Sequence, residues 1–187
     1  MRLSDADRRE ILRLARESVH RTVLGKEMPK PISTSAVLQE PCGAFVTLIE
    51  RGQLRGCIGY TEAVRPLAEV VCEVAAKAAV DDPRFSPVGE EELMDIELEI
   101  SVLSPLEKIS SPEKIEVGKH GILLENGYFR GLLLPQVAVE YNWDREAFLE
   151  NTARKAGLHP DAWKDSNSAI YTFTAEIVRE RDFKSES

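Results

Sequence analysis

Apolar positions along this chain recur at two spacings, and together they outline a mixed fold. Ile11, Leu12, Ala15 and Val19 follow the helical period, which predicts an amphipathic first helix covering a sheet. Ser4 suits its N-cap, acidic residues follow in the first turn, and Gly25 is a stop signal. His20 near its end is expected to be solvated or capping. Residues 26–41 hold three prolines and read as an irregular connection. Residues 43–50 and 54–60 read as two strands joined by a hairpin turn at Arg51-Gly52. Pro66 suits the first turn of a second helix, whose stripe is Leu67, Val70, Val71, Val74 and Ala78; Cys72 lies off its centre. The period drops to two at 96–103, where Ile96, Leu98, Ile100 and Val102 face a core. Glu97, Glu99 and Ser101 then face solvent or a cleft.

The second half repeats these signals. Residues 104–119 carry two prolines and suggest a connection with a short helix. Asn126-Gly127 predicts a hairpin between 121–125 and 128–134. Pro135 opens a helix, and Phe148, Leu149, Thr152 and Ala156 mark the face of another that Gly157 ends. Residues 169–180 alternate as one strand, with Tyr171, Phe173, Ala175 and Ile177 on one face. Hairpins and helices mix without regular βαβ alternation. The fold class expected is therefore α+β, with an antiparallel or mixed sheet and packed helices. A chain of 187 residues suits a single domain, here with two lobes.

Composition narrows the function classes. Hydrophobic residues at 43% and charged residues at 30% are globular values. The net charge, 24 − 32 = −8, repels a phosphate backbone, and Lys and Arg are spread among Asp and Glu. With only 6% aromatic residues to stack bases, nucleic-acid binding is disfavoured. The three cysteines, at 42, 57 and 72, do not pair as a disulfide framework. No Cys-x-x-Cys or His-x-x-x-His spacing occurs, so no structural zinc site and no cofactor is expected. The first residues lack the apolar core of a signal peptide. No apolar run approaches the roughly 20 residues of a membrane helix. A cytoplasmic protein is the expectation.

Candidate chemistry centres on Leu54-Arg55-Gly56-Cys57-Ile58-Gly59-Tyr60. Glycine weakens a strand, so two glycines flanking a cysteine suggest that something approaches this backbone closely. As a regular strand, Leu54, Gly56, Ile58 and Tyr60 share one face, and Arg55, Cys57 and Gly59 the other. A cation beside a thiol favours the thiolate. One reading makes Cys57 reactive, with Arg55 its electrostatic partner or an anion clamp. The other is a bulged strand with a cysteine acting as a small hydrophobe. The loop Asp81-Asp82-Pro83-Arg84-Phe85-Ser86-Pro87 is either functional or a solvated turn with Phe85 plugged into the core. His120, beside a glycine, is the histidine considered for proton transfer. Gln136, at a helix start, offers either an amide to a ligand or a cap.

Four segments in order resemble the AMMECR domain family: Leu54-Arg55-Gly56-Cys57-Ile58-Gly59, its hallmark hexapeptide, then Asp82-Pro83-Arg84-Phe85, His120-Gly121 and Leu134-Pro135-Gln136-Val137-Ala138. The resemblance spans about residues 43–150. It implies a domain with a larger and a smaller lobe and the hexapeptide near a cleft. It also implies membership of a three-part system with a Memo-type protein and a radical S-adenosylmethionine enzyme. It implies no particular reaction. Where Gln136 stands, relatives can carry glutamate; a glutamine cannot act as a base.

Two functions from different classes follow. In the first, Cys57 is a nucleophile activated by Arg55, His120 is the general acid or base, and Arg84 binds an anionic group of a small-molecule substrate. Gly56, Gly59 and Gln136 complete that substrate site. In the second, the same surface is a non-catalytic adaptor that docks the partner proteins or holds a ligand.

Overall fold

A computed structural model describes residues 2–186 of the chain. The chain divides into two units, one formed by residues up to Leu103 together with those from Glu176, the other by Ser104–Ala175.

The first unit opens with helix α1 (Asp5–Val23). Ser4 and Asp7 form a reciprocal capping box: the Ser4 hydroxyl accepts the Asp7 N–H, and the Asp7 carboxylate accepts the Ser4 N–H. Strands β1 (Ala44–Glu50) and β2 (Gln53–Tyr60) are joined at Arg51-Gly52, both at positive φ (49° and 79°). That is the left-handed geometry a two-residue hairpin turn requires. Helix α2 (Leu67–Val80) buries ten of its fourteen residues, Cys72 among them. Pro66 lies just before it as the N-cap. Strand β3 (Ile96–Leu103) completes the antiparallel trio. Ala44, Val46 and Leu48 of β1 and Ile96, Leu98, Ile100 and Val102 of β3 join the buried faces of α1 and α2 in one core. Each Val, Leu or Ile among them contributes about 1.5–3 kcal/mol on burial.

The second unit is built on β4 (Glu107–Ile109), β5 (Gly121–Asn126), β6 (Phe129–Leu133) and β7 (Ser168–Phe173), in the sheet order β4-β7-β5-β6. Its helices are α3 (Pro135–Glu140) and α4 (Arg145–Lys155), and Phe148, Leu149 and Ala153 of α4 pack with Ile122, Leu124 and Ile170. Asp144 caps α4 by accepting the Ala147 N–H.

Three expectations are corrected. Residues 104–119 contain the short strand β4 besides a 3-10 turn at Pro112–Lys114. The second hairpin pairs Asn126 with Phe129, so its turn is Gly127-Tyr128, one residue later than expected. Only Gly127 takes positive φ there (59°), and Asn126 instead donates to Ser168. The single strand expected over 169–180 breaks at Thr174 into β7 and β8 (Ala175–Arg179), which pair in different sheets. The buried side chain of β8 is Val178, not Ile177.

Candidate functional site

Strand β2 is the edge of the first sheet, ordered β2-β1-β3-β8. Leu48 pairs with Gly56 and Ile49 with Leu54, so Arg55 is an extra, unpaired residue, a β-bulge. The bulge moves Leu54 to the face of Ile49 and re-aims Arg55. Arg55, read from sequence as an electrostatic partner of Cys57 or an anion clamp, is engaged by other groups. Its guanidinium makes two bonds to Glu92 (2.7 and 3.0 Å) and donates to the carbonyls of Ser86 and Pro87 (2.9 and 3.4 Å). Arg55 thus ties the loop after α2 to the strand. Its guanidinium and the Gly89 N–H hold the Glu92 carboxyl below its ordinary range.

Asp82 and Arg84 are charged neighbours of Cys57. Asp82-Pro83-Arg84-Phe85 forms a turn in which Phe85 N–H donates to the Asp82 carbonyl (3.1 Å) and Arg84 N–H to the Asp82 side chain (3.1 Å). Asp at the first position and Pro at the second are residues this turn favours. The Asp82 carboxylate is buried, with 4% exposed. It accepts two bonds from the Arg84 guanidinium (2.9 and 2.7 Å) and one from the backbone N–H of Cys57 (2.8 Å). Arg84 also donates to the Cys57 carbonyl (3.3 Å). The turn therefore covers the open sheet edge at Cys57, where an exposed strand would otherwise recruit another chain. Arg84, with help from the Cys57 and Arg84 amides, holds the Asp82 carboxyl well below the usual carboxylate range, against the effect of burial. Phe85 is half-buried, its ring 5.5 Å from the Arg84 guanidinium and 6.0 Å from that of Arg55.

Cys57 itself is half-buried, and the Thr47 hydroxyl donates to its sulfur at 3.2 Å. Cys57 pairs with Thr47, and Thr47 with Glu99 on β3. Directly paired residues share a face, so the three side chains form a row on the side of the sheet away from the helices. Arg179 of β8 bonds Glu99 at 2.7 Å and ends that row. Sequence reasoning missed Thr47, Asp82 as a carboxylate ligand, and Arg179. The signal for Thr47 was register: a hairpin closed at Arg51-Gly52 brings β1 residues opposite Cys57.

The room left by the two glycines is filled by protein. A Cβ on Gly56 would lie 2.2 Å from the Ala78 carbonyl oxygen of α2, and one on Gly59 2.2 Å from the Phe45 ring. Just beyond, the Tyr60 hydroxyl donates to Glu73 (2.6 Å) and receives a bond from Lys77 (2.6 Å), while Arg65 also pairs with Glu73. Tyr60, Arg65 and Lys77 together bring the Glu73 carboxyl down to about 2.

Of the residues singled out from sequence, Arg55, Gly56, Cys57, Gly59 and Arg84 belong to the first unit, His120 and Gln136 to the second. His120 accepts the Glu116 N–H at Nδ1 (3.1 Å), closing its own turn. Gln136 is the second residue of α3 and is half-buried. Among the described residues, no three His, Cys, Asp or Glu side chains are grouped to hold a metal ion. No helix among them is long and apolar enough to cross a membrane.

Known proteins match this chain along nearly its whole length. A protein of Methanothermobacter thermautotrophicus is 45% identical over 185 residues, 95% of this chain and 96% of its own. Protein TK0174 of Thermococcus kodakarensis is 46% identical over 181 residues, 91% of this chain and 88% of its own. The solved structure of the uncharacterized protein PH0010 from Pyrococcus horikoshii superposes with a TM-score of 0.85 at 46% identity, covering 89% of this chain and 88% of that one. Residues 12–178, which include the bulged strand and the Asp82–Arg84 turn, match the AMMECR1 family model, and the chain belongs to the AMMECR1 family.

Proposed function

We propose that this AMMECR1-family protein acts through the Cys57 sulfur, as a thiol nucleophile on a rigid strand. One observation carries the reading: the Cys57 backbone is held at both polar groups, by Asp82 and Arg84, while the residue stays half-buried and its sulfur is hydrogen-bonded by Thr47. A reactive group is most effective when its support is fixed. In this reading the Thr47 hydroxyl and the Arg84 cation favour the thiolate. Arg84 receives an anionic group of the substrate.

A second reading is an adaptor that docks a Memo-type protein and a radical S-adenosylmethionine enzyme in the cytoplasm. The state of the nearby carboxylates favours it: Asp82 is tied to Arg84, Glu92 to Arg55 and Glu99 to Arg179. None of them stands ready as a base.

Alkylation of each cysteine across pH, read by peptide mass spectrometry, separates the two. Cys42 and Cys72 are buried, and burial raises both thiols, so they are internal controls. For a thiol site, Cys57 reacts first in the native protein, at a pH where a free cysteine of pKa about 8.5 is largely protonated. If Cys57 reacts only on unfolding, the nucleophile reading fails, and pull-down with the Memo-type partner becomes the test.

A further inference from the structure

Helix α1 carries a concentration of positive charge that the chain's net charge of −8 conceals. A cavity of about 480 Å³ is lined by Arg13, Arg16, Glu17, His20, Arg21 and Lys26. Positions 13, 16 and 20 fall on one stripe of the helix. Lys26 joins them because the helix ends in a left-handed turn: Gly25 has φ 63°, and the Lys26 N–H folds back to the Arg21 carbonyl at 2.8 Å. In linear sequence these cations are spread over residues 13–26 among apolar and polar residues, with Glu17 between them, so no basic run is visible.

Their partners define the net charge. Arg16 is neutralised by Glu180 and also donates to the Leu93 and Ile96 carbonyls. Arg13 and Arg21 share a single carboxylate, Glu17, at 3.1 and 2.9 Å. The Lys26 ammonium and the His20 ring have no side-chain partner among the described residues. Three cations, Arg13, Arg21 and Lys26, thus face one anion, Glu17, and 3 − 1 leaves +2. Two guanidinium groups and an ammonium around one concavity match the oxygens of a phosphate, whose monoesters carry close to two negative charges at neutral pH. The volume lies in the range of small-molecule sites and exceeds the needs of the ion alone.

We propose that this cavity binds the phosphate group of a small molecule. The proposal is independent of Cys57. The test is an NMR titration of the His20 ring resonances in the intact protein, with inorganic phosphate, ribose 5-phosphate, and sodium chloride at matched ionic strength. Saturable shifts are expected with phosphate and not with chloride. A tighter midpoint for ribose 5-phosphate assigns the site to esters, and equal midpoints assign it to the free ion. The double variant Arg13→Gln, Lys26→Gln should weaken the midpoint about tenfold or more, since each lost charged hydrogen bond is worth about that factor. Arg154→Gln, which removes an exposed cation on α4, should leave it unchanged. Equal shifts with chloride, an unaltered midpoint in the double variant, or binding only to an RNA oligomer would overturn the proposal.

Discussion

The Asp82 carboxylate accepts the backbone N–H of Cys57 at 2.8 Å from 25 residues along the chain. A side chain from the turn after α2 therefore stands where the next β-strand would pair. Replacing Asp82 with Ala leaves that amide and the Arg84 guanidinium without their acceptor. Removing charged hydrogen bonds from a buried site costs about 2–3 kcal/mol. The expected result is an unfolding free energy, read from urea denaturation, lowered by that amount, and faster native-state alkylation of Cys57. Unchanged stability would mean the turn holds by other contacts.

Arg55 and Arg84 should separate cleanly. Arg55→Gln breaks the tie to Glu92, costing about 1–3 kcal/mol, and the double variant with Glu92→Gln should cost less than the sum of the singles. The pH profile of Cys57 alkylation should stay in place in Arg55→Gln and move to higher pH in Arg84→Gln. The opposite pattern would restore Arg55 as the partner of the thiol.

Gly56→Ala drives a methyl to 2.2 Å from the Ala78 carbonyl oxygen, a backbone atom that cannot rotate away. A loss of about 3 kcal/mol or more is expected, in the range of severe overpacking. Gly52→Ala meets open space and strains only the positive φ of 79°. Its cost should be about 1 kcal/mol. Thermal unfolding of the two variants side by side measures the difference.

Stability should fall in acid. Glu73 and Asp82 have ordinary values of 4.5 and 3.8, and both are lowered in the folded protein, Glu73 to about 2. The unfolded chain therefore binds these protons first. The stabilisation is complete above the ordinary values and is lost as pH falls through the folded ones. Urea midpoints measured from pH 5 down to pH 2, roughly the interval set by these values, should decline. Glu73→Gln should flatten part of that decline.

The α+β class, both hairpins, the Ser4 cap of α1, the glycine that ends α4 and the buried face of β3 were legible in the sequence. Each follows from a local rule: residue period, a capping side chain, or a glycine in a turn. The break at Thr174 was not, because alternation continues through 169–180 and only pairing assigns β7 and β8 to different sheets. The second turn was placed one residue early because Asn126 and Gly127 both tolerate positive φ and only one needed it.

At the candidate site, the sequence by itself determined that Cys57 lies on a glycine-flanked strand and that the segment around Asp82-Pro83-Arg84-Phe85 is not a regular element. These depend on backbone preferences of neighbouring residues, which any reader of the chain can apply. Tertiary structure alone decided that a bulge directs Arg55 to Glu92, that Asp82 and Arg84 hold Cys57, and that Thr47 and Glu99 extend its row. Those contacts join residues 10 to 52 positions apart, and their side chains have no periodic relation along the chain. The physical reason is register: a single extra residue in β2 sets which side chains face each other, and pairing energy, summed over the whole sheet, decides where it falls.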